Sequence, residues 1–98
     1  MKNLPQSLRF GGTVYKVVYP PEISHRRVGL TDHNKSVIHV SQEQSMDQMK
    51  STLLHEAVHA GAHAMDWEAK EATVIKIEKL MFAMIRENPD LFKWIMNV

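Results

Sequence analysis

The sequence contains no cysteine and few residues that interrupt regular structure, with four glycines and four prolines among 98 residues. The absence of cysteine excludes a disulfide scaffold and a cysteine-ligated zinc ribbon, so a metal site in this chain must use His, Asp or Glu. No apolar run approaches the roughly 20 residues that a membrane-spanning helix needs, and no secretory signal is recognisable after Met1. We therefore expect a cytoplasmic protein that does not associate with membranes.

The chain also has no large excess of charge of either sign, because 12 basic and 11 acidic side chains leave a formal net charge of only +1. A field this weak attracts neither nucleic acid nor anionic lipid. Binding of nucleic acid through Arg26, Arg27 and Lys35 is therefore disfavoured. A hydrophobic fraction of 44% and a charged fraction of 23% are typical of a globular chain, and the length predicts a single domain over residues 1–98.

The first half of the chain has the composition of β-strands. Residues 13–19 are rich in β-branched and aromatic side chains, follow the glycine pair at 11–12 and end at two prolines. Residues 27–30 and 36–40 predict two further short strands, joined across a polar loop as a hairpin. These segments together predict a small antiparallel sheet.

Helical signals dominate the chain after the predicted hairpin. Ser41 with Gln44, and Ser45 with Gln48, both have the spacing of a capping box at a helix start. The apolar residues that follow recur with the period of an α-helix. We therefore expect the first helix over residues 45–64.

A second helix is predicted from residue 67 to about residue 87, with Asp66 as its N-terminal cap. Asn88 and Pro89 then end this helix and start a short final one, because proline suits the first position of a helix. The apolar side chains of this last segment are expected to pack back on the core. The predicted fold class is therefore α+β, with a small antiparallel sheet followed by the helix over 45–64 and a second long helix.

The first predicted helix contains the H-E-x-x-H pattern at residues 55–59. His55 and His59 lie one turn apart on the same helix face, so their rings can converge on one Zn²⁺ ion. Glu56 stands beside that pair, where its carboxylate can act as the general base on a zinc-bound water. The alternative is a helix whose histidines are simply solvated, because the same face is otherwise polar.

A catalytic zinc site of this type needs a third protein ligand and one open position. On the second predicted helix, Glu71 and Glu78 fall on the side that the helix buries, where an unpaired carboxylate is costly. Glu71 is the preferred third ligand because it lies in the first turn, close in sequence to the motif. Glu68 and Glu78 are the alternatives, and the helix dipole by itself also favours a carboxylate in the first turn.

The remaining histidines lack the spacing of a ligand pair. A continuous helix rotates His63 away from His55 and lifts it along the axis, so we expect His63 beside the site or at the surface. Three histidines without partner spacing are expected at the surface: His25, His33 and His39. Three residues are candidates for stabilising the oxyanion of a reacting carbonyl: Tyr15, Tyr19 and His39.

The run STLLHEAVHA at residues 51–60, between the predicted hairpin and a helix that closes on ENPDL at 87–91, resembles the minimal zincin-like metallopeptidases encoded by phages and prophages. These are relatives of the ImmA/IrrE-type and minigluzincin peptidases, and the resemblance covers about residues 7–92. It implies a zincin-like core, a zinc ion held by His55, His59 and a downstream glutamate, Glu56 as the base, and a peptide lying along the sheet edge. The chain lacks the small-residue run that follows the glutamate in the longer pattern, so Glu68 and Glu71 both remain open.

The leading hypothesis is therefore a zinc-dependent endopeptidase that hydrolyses a protein or peptide substrate in the cytoplasm. The edge of the strand predicted at 36–40 would pair with the main chain of the substrate. The alternative is a non-enzymatic, zinc-stabilised phage module that binds a regulatory protein, because a chain this short has little wall with which to shape a cleft. The oligomeric state stays open.

Overall fold

The computed structural model describes residues 3–24 and 27–97. In this part of the chain, four strands form one sheet and three helices follow them. The strands are β1 (Ser7–Phe10), β2 (Thr13–Val18), β3 (Gly29–Asp32) and β4 (Val37–Val40). The helices are α1 (Met46–Ala64), α2 (Glu71–Glu87) and α3 (Pro89–Met96). The fold class is α+β, as predicted.

The sheet is mixed, so the prediction of an antiparallel sheet is wrong in one pairing. The strand order is β1-β2-β4-β3, in which β1 pairs antiparallel with β2 and β3 pairs antiparallel with β4, but β2 and β4 run parallel. The connection between β2 and β3 is long enough for β3 to lie beyond β4. The second strand of the hairpin, β4, therefore pairs with β2. The sequence prediction also missed β1, which reaches β2 through the turn at Gly11 and Gly12, where Gly11 has a φ of 62°.

One face of the sheet forms the core. The largest fully buried side chains of the sheet alternate along its two central strands: Tyr15, Val17, Ile38 and Val40. Met49 and Ala60 of α1 pack against this face. Helix α1 therefore lies across the sheet, and its side chains on that face have fixed positions.

Helix α1 begins as predicted. Ser45 is its N-terminal cap, its hydroxyl accepts a hydrogen bond from the Gln48 backbone N–H, and the Gln48 side chain accepts one from the Ser45 backbone. This reciprocal pair is the capping box that the spacing of the two residues predicts.

Helix α2 begins four residues later than predicted, at Glu71, and its cap is Lys70 without a side-chain hydrogen bond. Asp66 does not cap α2, because its φ of 59° and the hydrogen bond from its N–H to the His63 carbonyl make it part of a turn. The N–H of Trp67 also bonds back to the Ala62 carbonyl. The chain therefore reverses direction directly after α1.

Helix α3 begins at Pro89 with Asn88 before it, as predicted. Its apolar side chains do not pack back on the core, because one residue separates it from α2 and it packs chiefly against that helix. None of its residues is buried, and Trp94 is 78% exposed. Within residues 3–24 and 27–97, no helix is long and apolar enough to cross a membrane.

Candidate metal centre

The two histidines of the motif converge on one carboxylate. Nε2 of His55 lies 2.6 Å from Glu71 Oε1, and Nε2 of His59 donates a hydrogen bond of 2.9 Å to Glu71 Oε2. One ligand atom from each of the three residues lies within 4.8 Å of the other two. Two imidazoles and a carboxylate are a donor set that suits zinc, so the chemistry of the residues present fits the ion.

Glu71 reaches the histidines from the first residue of α2. Its side chain is 61% exposed, so the expectation that it lies on the buried side of α2 is wrong. It comes close to His59 because the turn after α1 returns the chain over the last turns of that helix. Partial burial raises the pKa of the Glu71 carboxyl, but the charges and hydrogen bonds of His55 and His59 outweigh this effect, so its pKa lies below the ordinary value.

Of the two alternative ligands, neither joins this group. Glu68 lies exposed in the segment before α2, outside the cluster. Glu78 lies behind His55, where its Oε1 is 3.6 Å from His55 Nδ1 and its Oε2 accepts a hydrogen bond of 3.1 Å from the Ser51 hydroxyl. Glu78 therefore faces the opposite ring nitrogen from Glu71, at ion-pair distance.

The Glu56 carboxylate is turned towards β3 and lines the same cleft as the two histidines. Its side chain is nearly buried, at 9% exposure, and Oε1 accepts a hydrogen bond of 2.8 Å from the Thr31 hydroxyl. A Cβ atom at Gly29 would lie only 2.9 Å from Glu56 Oε2 and 2.6 Å from Thr52 Cγ2. The carboxylate therefore has a defined position between α1 and β3, and only glycine at position 29 leaves room for it there.

A cleft of about 720 Å³ contains all of these groups. Its walls are β3 on one side, the motif face of α1 on the other, and Glu71 and Glu78 at one end. β3 is an edge strand, whereas β4 lies between β2 and β3. The expectation that the strand at 36–40 offers a free edge is therefore wrong, and the free edge beside the site is that of β3.

His33 is a cleft residue that the sequence analysis expected at the surface. Its Nδ1 forms a hydrogen bond of 2.9 Å with the Tyr15 hydroxyl, and its ring stacks on that of His63 with centroids 4.1 Å apart. Burial lowers the pKa of His33, and the charges of His63 and His59 lower it further. Gly29 and Thr31 alternate along β3 and line the cleft, and His33 continues this alternation one residue beyond the end of the strand, which was the available signal for finding it.

The three residues proposed for stabilising the oxyanion are not among the residues that line the cleft. Tyr15 is buried, and its hydroxyl bonds to His33. The Tyr19 hydroxyl donates a hydrogen bond to the Pro5 carbonyl, at the other end of β2. His39 alternates along β4 with the buried Ile38, so it lies on the sheet face that α1 does not cover.

His25 and Arg26 lie outside the described residues. Arg27 lines the cleft, and Lys35 lies in the turn between β3 and β4, where its N–H donates to the Asp32 carboxylate.

Comparison of the chain with protein-family models, with curated proteins and with solved structures finds no match. The resemblance to zincin-like peptidases therefore depends on the motif and its neighbouring segments.

Proposed function

We propose that this chain is a zinc-dependent peptidase of the zincin-like type. The observation that supports this best is the separation of roles within one motif. His55 and His59 direct their Nε2 atoms at the Glu71 carboxylate, while Glu56 turns its carboxylate towards the Thr31 hydroxyl. A solvated surface helix needs neither arrangement, because its histidines would face water and its glutamate would not be buried.

His55, His59 and Glu71 are the residues that would bind the ion. A zinc ion bound there would polarise the carbonyl of a substrate and lower the pKa of a water molecule. Glu56 would take the proton of the attacking water and return it to the leaving amine. The hydrogen bond from Thr31 to Oε1 would orient the carboxylate for this task, with Oε2 as the oxygen that accepts the proton.

The proposed substrate is an extended segment of a peptide or protein. One edge of β3 pairs with β4, and the other lies along the cleft that contains Glu56. An extended peptide added to this free edge would form main-chain hydrogen bonds and pass in front of the carboxylate.

His33 is the proposed donor to the oxyanion, in place of the three residues expected from the sequence. When the Tyr15 hydroxyl donates to Nδ1, the proton of the neutral imidazole resides on Nε2. The lowered pKa of His33 favours this neutral form. The ring would then donate one hydrogen bond from Nε2 into the cleft.

The decisive experiment measures zinc content and cleavage on the same preparations. Labelled, unfolded casein and a mixture of extended peptides serve as substrates for the native chain, Glu56→Gln and the exposed control Glu43→Gln. Glu56→Gln is expected to retain its zinc and lose about 10²- to 10⁴-fold in cleavage rate, the usual contribution of a general base. Glu43→Gln is expected to match the native chain.

Two results would contradict the proposal in different ways. Equal, near-zero zinc in the native chain and in His59→Ala would refute the metal centre. Stoichiometric zinc without cleavage of either substrate by the native chain would favour the non-enzymatic, zinc-stabilised module instead.

A further inference from the structure

The last helix presents an apolar surface to solvent. Four of its side chains are large, apolar and exposed, and we call them the α3 ridge: Leu91, Trp94, Ile95 and Met96. Helix α2 adds exposed Leu80. Several large apolar side chains exposed together on one short helix of a small chain point to an interaction site.

The total surface is larger than that of a compact monomer. The chain exposes 7244 Å², whereas area scaling predicts roughly 5,700 Å² for a folded monomer of 11.3 kDa. The difference of roughly 1,500 Å² lies within the range that each subunit of a stable homodimer buries, about 1,000–2,500 Å². The radius of gyration of 13.6 Å likewise exceeds the roughly 12.6 Å expected for a compact domain of this length.

The same chain also has a complementary surface. An apolar groove of about 650 Å³ lies between the N-terminal segment, α1 and the last turns of α2. Its main apolar lining residues are Leu4, Met46, Leu53, Leu54, Phe82 and Ile85. Lys50 and Arg86 line the groove, and α3 offers Asp90 in its first turn, whereas Lys93 offsets the charge of the carbonyl groups in its last turn.

We infer that the chain forms a two-fold homodimer in which the α3 ridge of each copy fills the apolar groove of the other. A two-fold axis uses the ridge and the groove of both copies at once, so no apolar surface of either kind stays exposed. The groove and the metal-binding cleft share no lining residue. The dimer is therefore independent of the peptidase proposal and leaves the cleft open to a substrate.

The test is the mass of the full chain in solution, measured by light scattering and by sedimentation. We expect twice 11.3 kDa for the native chain. Ile95→Glu is expected to give a monomer with an unchanged far-ultraviolet circular dichroism spectrum, because Ile95 is exposed and its replacement disturbs no core contact. Val14→Glu is the matched control, because Val14 is also exposed but lies on β2, away from both surfaces.

A second measurement identifies the buried element. Trp67→Phe leaves Trp94 as the sole tryptophan of the chain. On dilution, its fluorescence is expected to shift to longer wavelength as the dimer dissociates and the ring enters water.

Three results would overturn the inference. A native chain that stays monomeric up to about 100 µM, well above the micromolar limit of weak interfaces of this size, has no such dimer. If Trp94 is buried in that monomer, α3 occupies the groove of its own chain. If Trp94 is exposed in that monomer, the α3 ridge binds a partner other than a second copy. A dimer that persists unchanged in Ile95→Glu uses another surface.

Discussion

The two long helices of this chain differ in how firmly the rest of the molecule holds them. Helix α1 has five buried residues and lies between the sheet and α2: Met49, Glu56, Ala60, Gly61 and Ala62. Helix α2 is nearly as long but has only one buried residue, Val74, and packs against α1 and α3 without touching the sheet extensively. Both histidines and the proposed base belong to α1, the firmly packed helix. The proposed third ligand, Glu71, belongs to α2, which has only one buried residue.

This difference in packing divides the candidate site into a part on α1 and a part on α2. The geometry of His55, Glu56 and His59 is set by the core and by the periodicity of α1. The position of Glu71 depends on how α2 packs against α1, so an ion bound by all three ligands would also join the two helices. Metal binding and local stability are therefore expected to be coupled at α2.

The largest expected effect comes from removing a ligand on the firmly packed helix. His59→Ala is expected to weaken zinc binding by more than the 10- to 100-fold that the loss of an orienting partner costs. In the native chain, chelation of the metal is expected to speed amide hydrogen exchange in α2 more than in α1. In His59→Ala, the chelator is expected to leave the exchange rates of both helices unchanged.

The control for this substitution is His39→Ala, because His39 lies on the opposite face of the sheet. Titration calorimetry with zinc and hydrogen exchange followed by mass spectrometry are the measurements. Equal protection of α1 and α2 with and without metal would contradict the coupling, even if zinc binds.

An intermediate effect is expected from the second carboxylate of α2. Glu78→Gln removes the charge that faces Nδ1 of His55 and is expected to weaken zinc binding by about 10- to 100-fold, while the stoichiometry stays the same. Glu87→Gln makes the same chemical change at the far end of the helix and is the control. An unchanged zinc affinity in Glu78→Gln would show that Glu78 does not orient His55.

The smallest effect is expected where α1 meets β3. Gly29→Ala adds a methyl group against Thr52 Cγ2 and Glu56 Oε2. We expect a loss of unfolding free energy within the roughly 1–3 kcal/mol that overpacking costs, because Thr52 is β-branched and stiff on a helix and Thr31 holds the Glu56 carboxylate. Zinc affinity is expected to stay the same, and cleavage is expected to fall because the proposed base is displaced.

Gly12→Ala is the matched control for this substitution, because a Cβ atom there has no neighbour within 4 Å. Urea unfolding of both variants measures the difference. Equal stability and equal cleavage in Gly29→Ala and the native chain would mean that the close approach of β3 to Glu56 has no consequence.

Local patterns predicted the parts of this molecule that depend on neighbouring residues. The capping box of Ser45 and Gln48, the start of α3 at Pro89 and the hairpin of β3 and β4 all follow from hydrogen bonds or steric limits that act within a few residues. The same holds for His55 and His59, whose common face follows from the helical period.

The errors lie where loops decide the arrangement. The segment between β2 and β3 places β4 beside β2 and β3 at the edge of the sheet, so that β2 and β4 run parallel. The periodicity within each strand contains no information about the route of this connection. The turn after α1 delays the start of α2 and brings an exposed Glu71 to the histidines, although its expected place was on the buried side of that helix.

The amino-acid sequence by itself determined which chemical groups this protein can offer to an ion and that two imidazoles share one face of α1, because a helix sets the relation between residues one turn apart. Only the tertiary structure decided which carboxylate meets them, which one lies behind His55, and that Thr31 and Gly29 surround Glu56. The physical reason is that these contacts join separate elements, whose relative positions depend on the connecting turns and on the packing of the core.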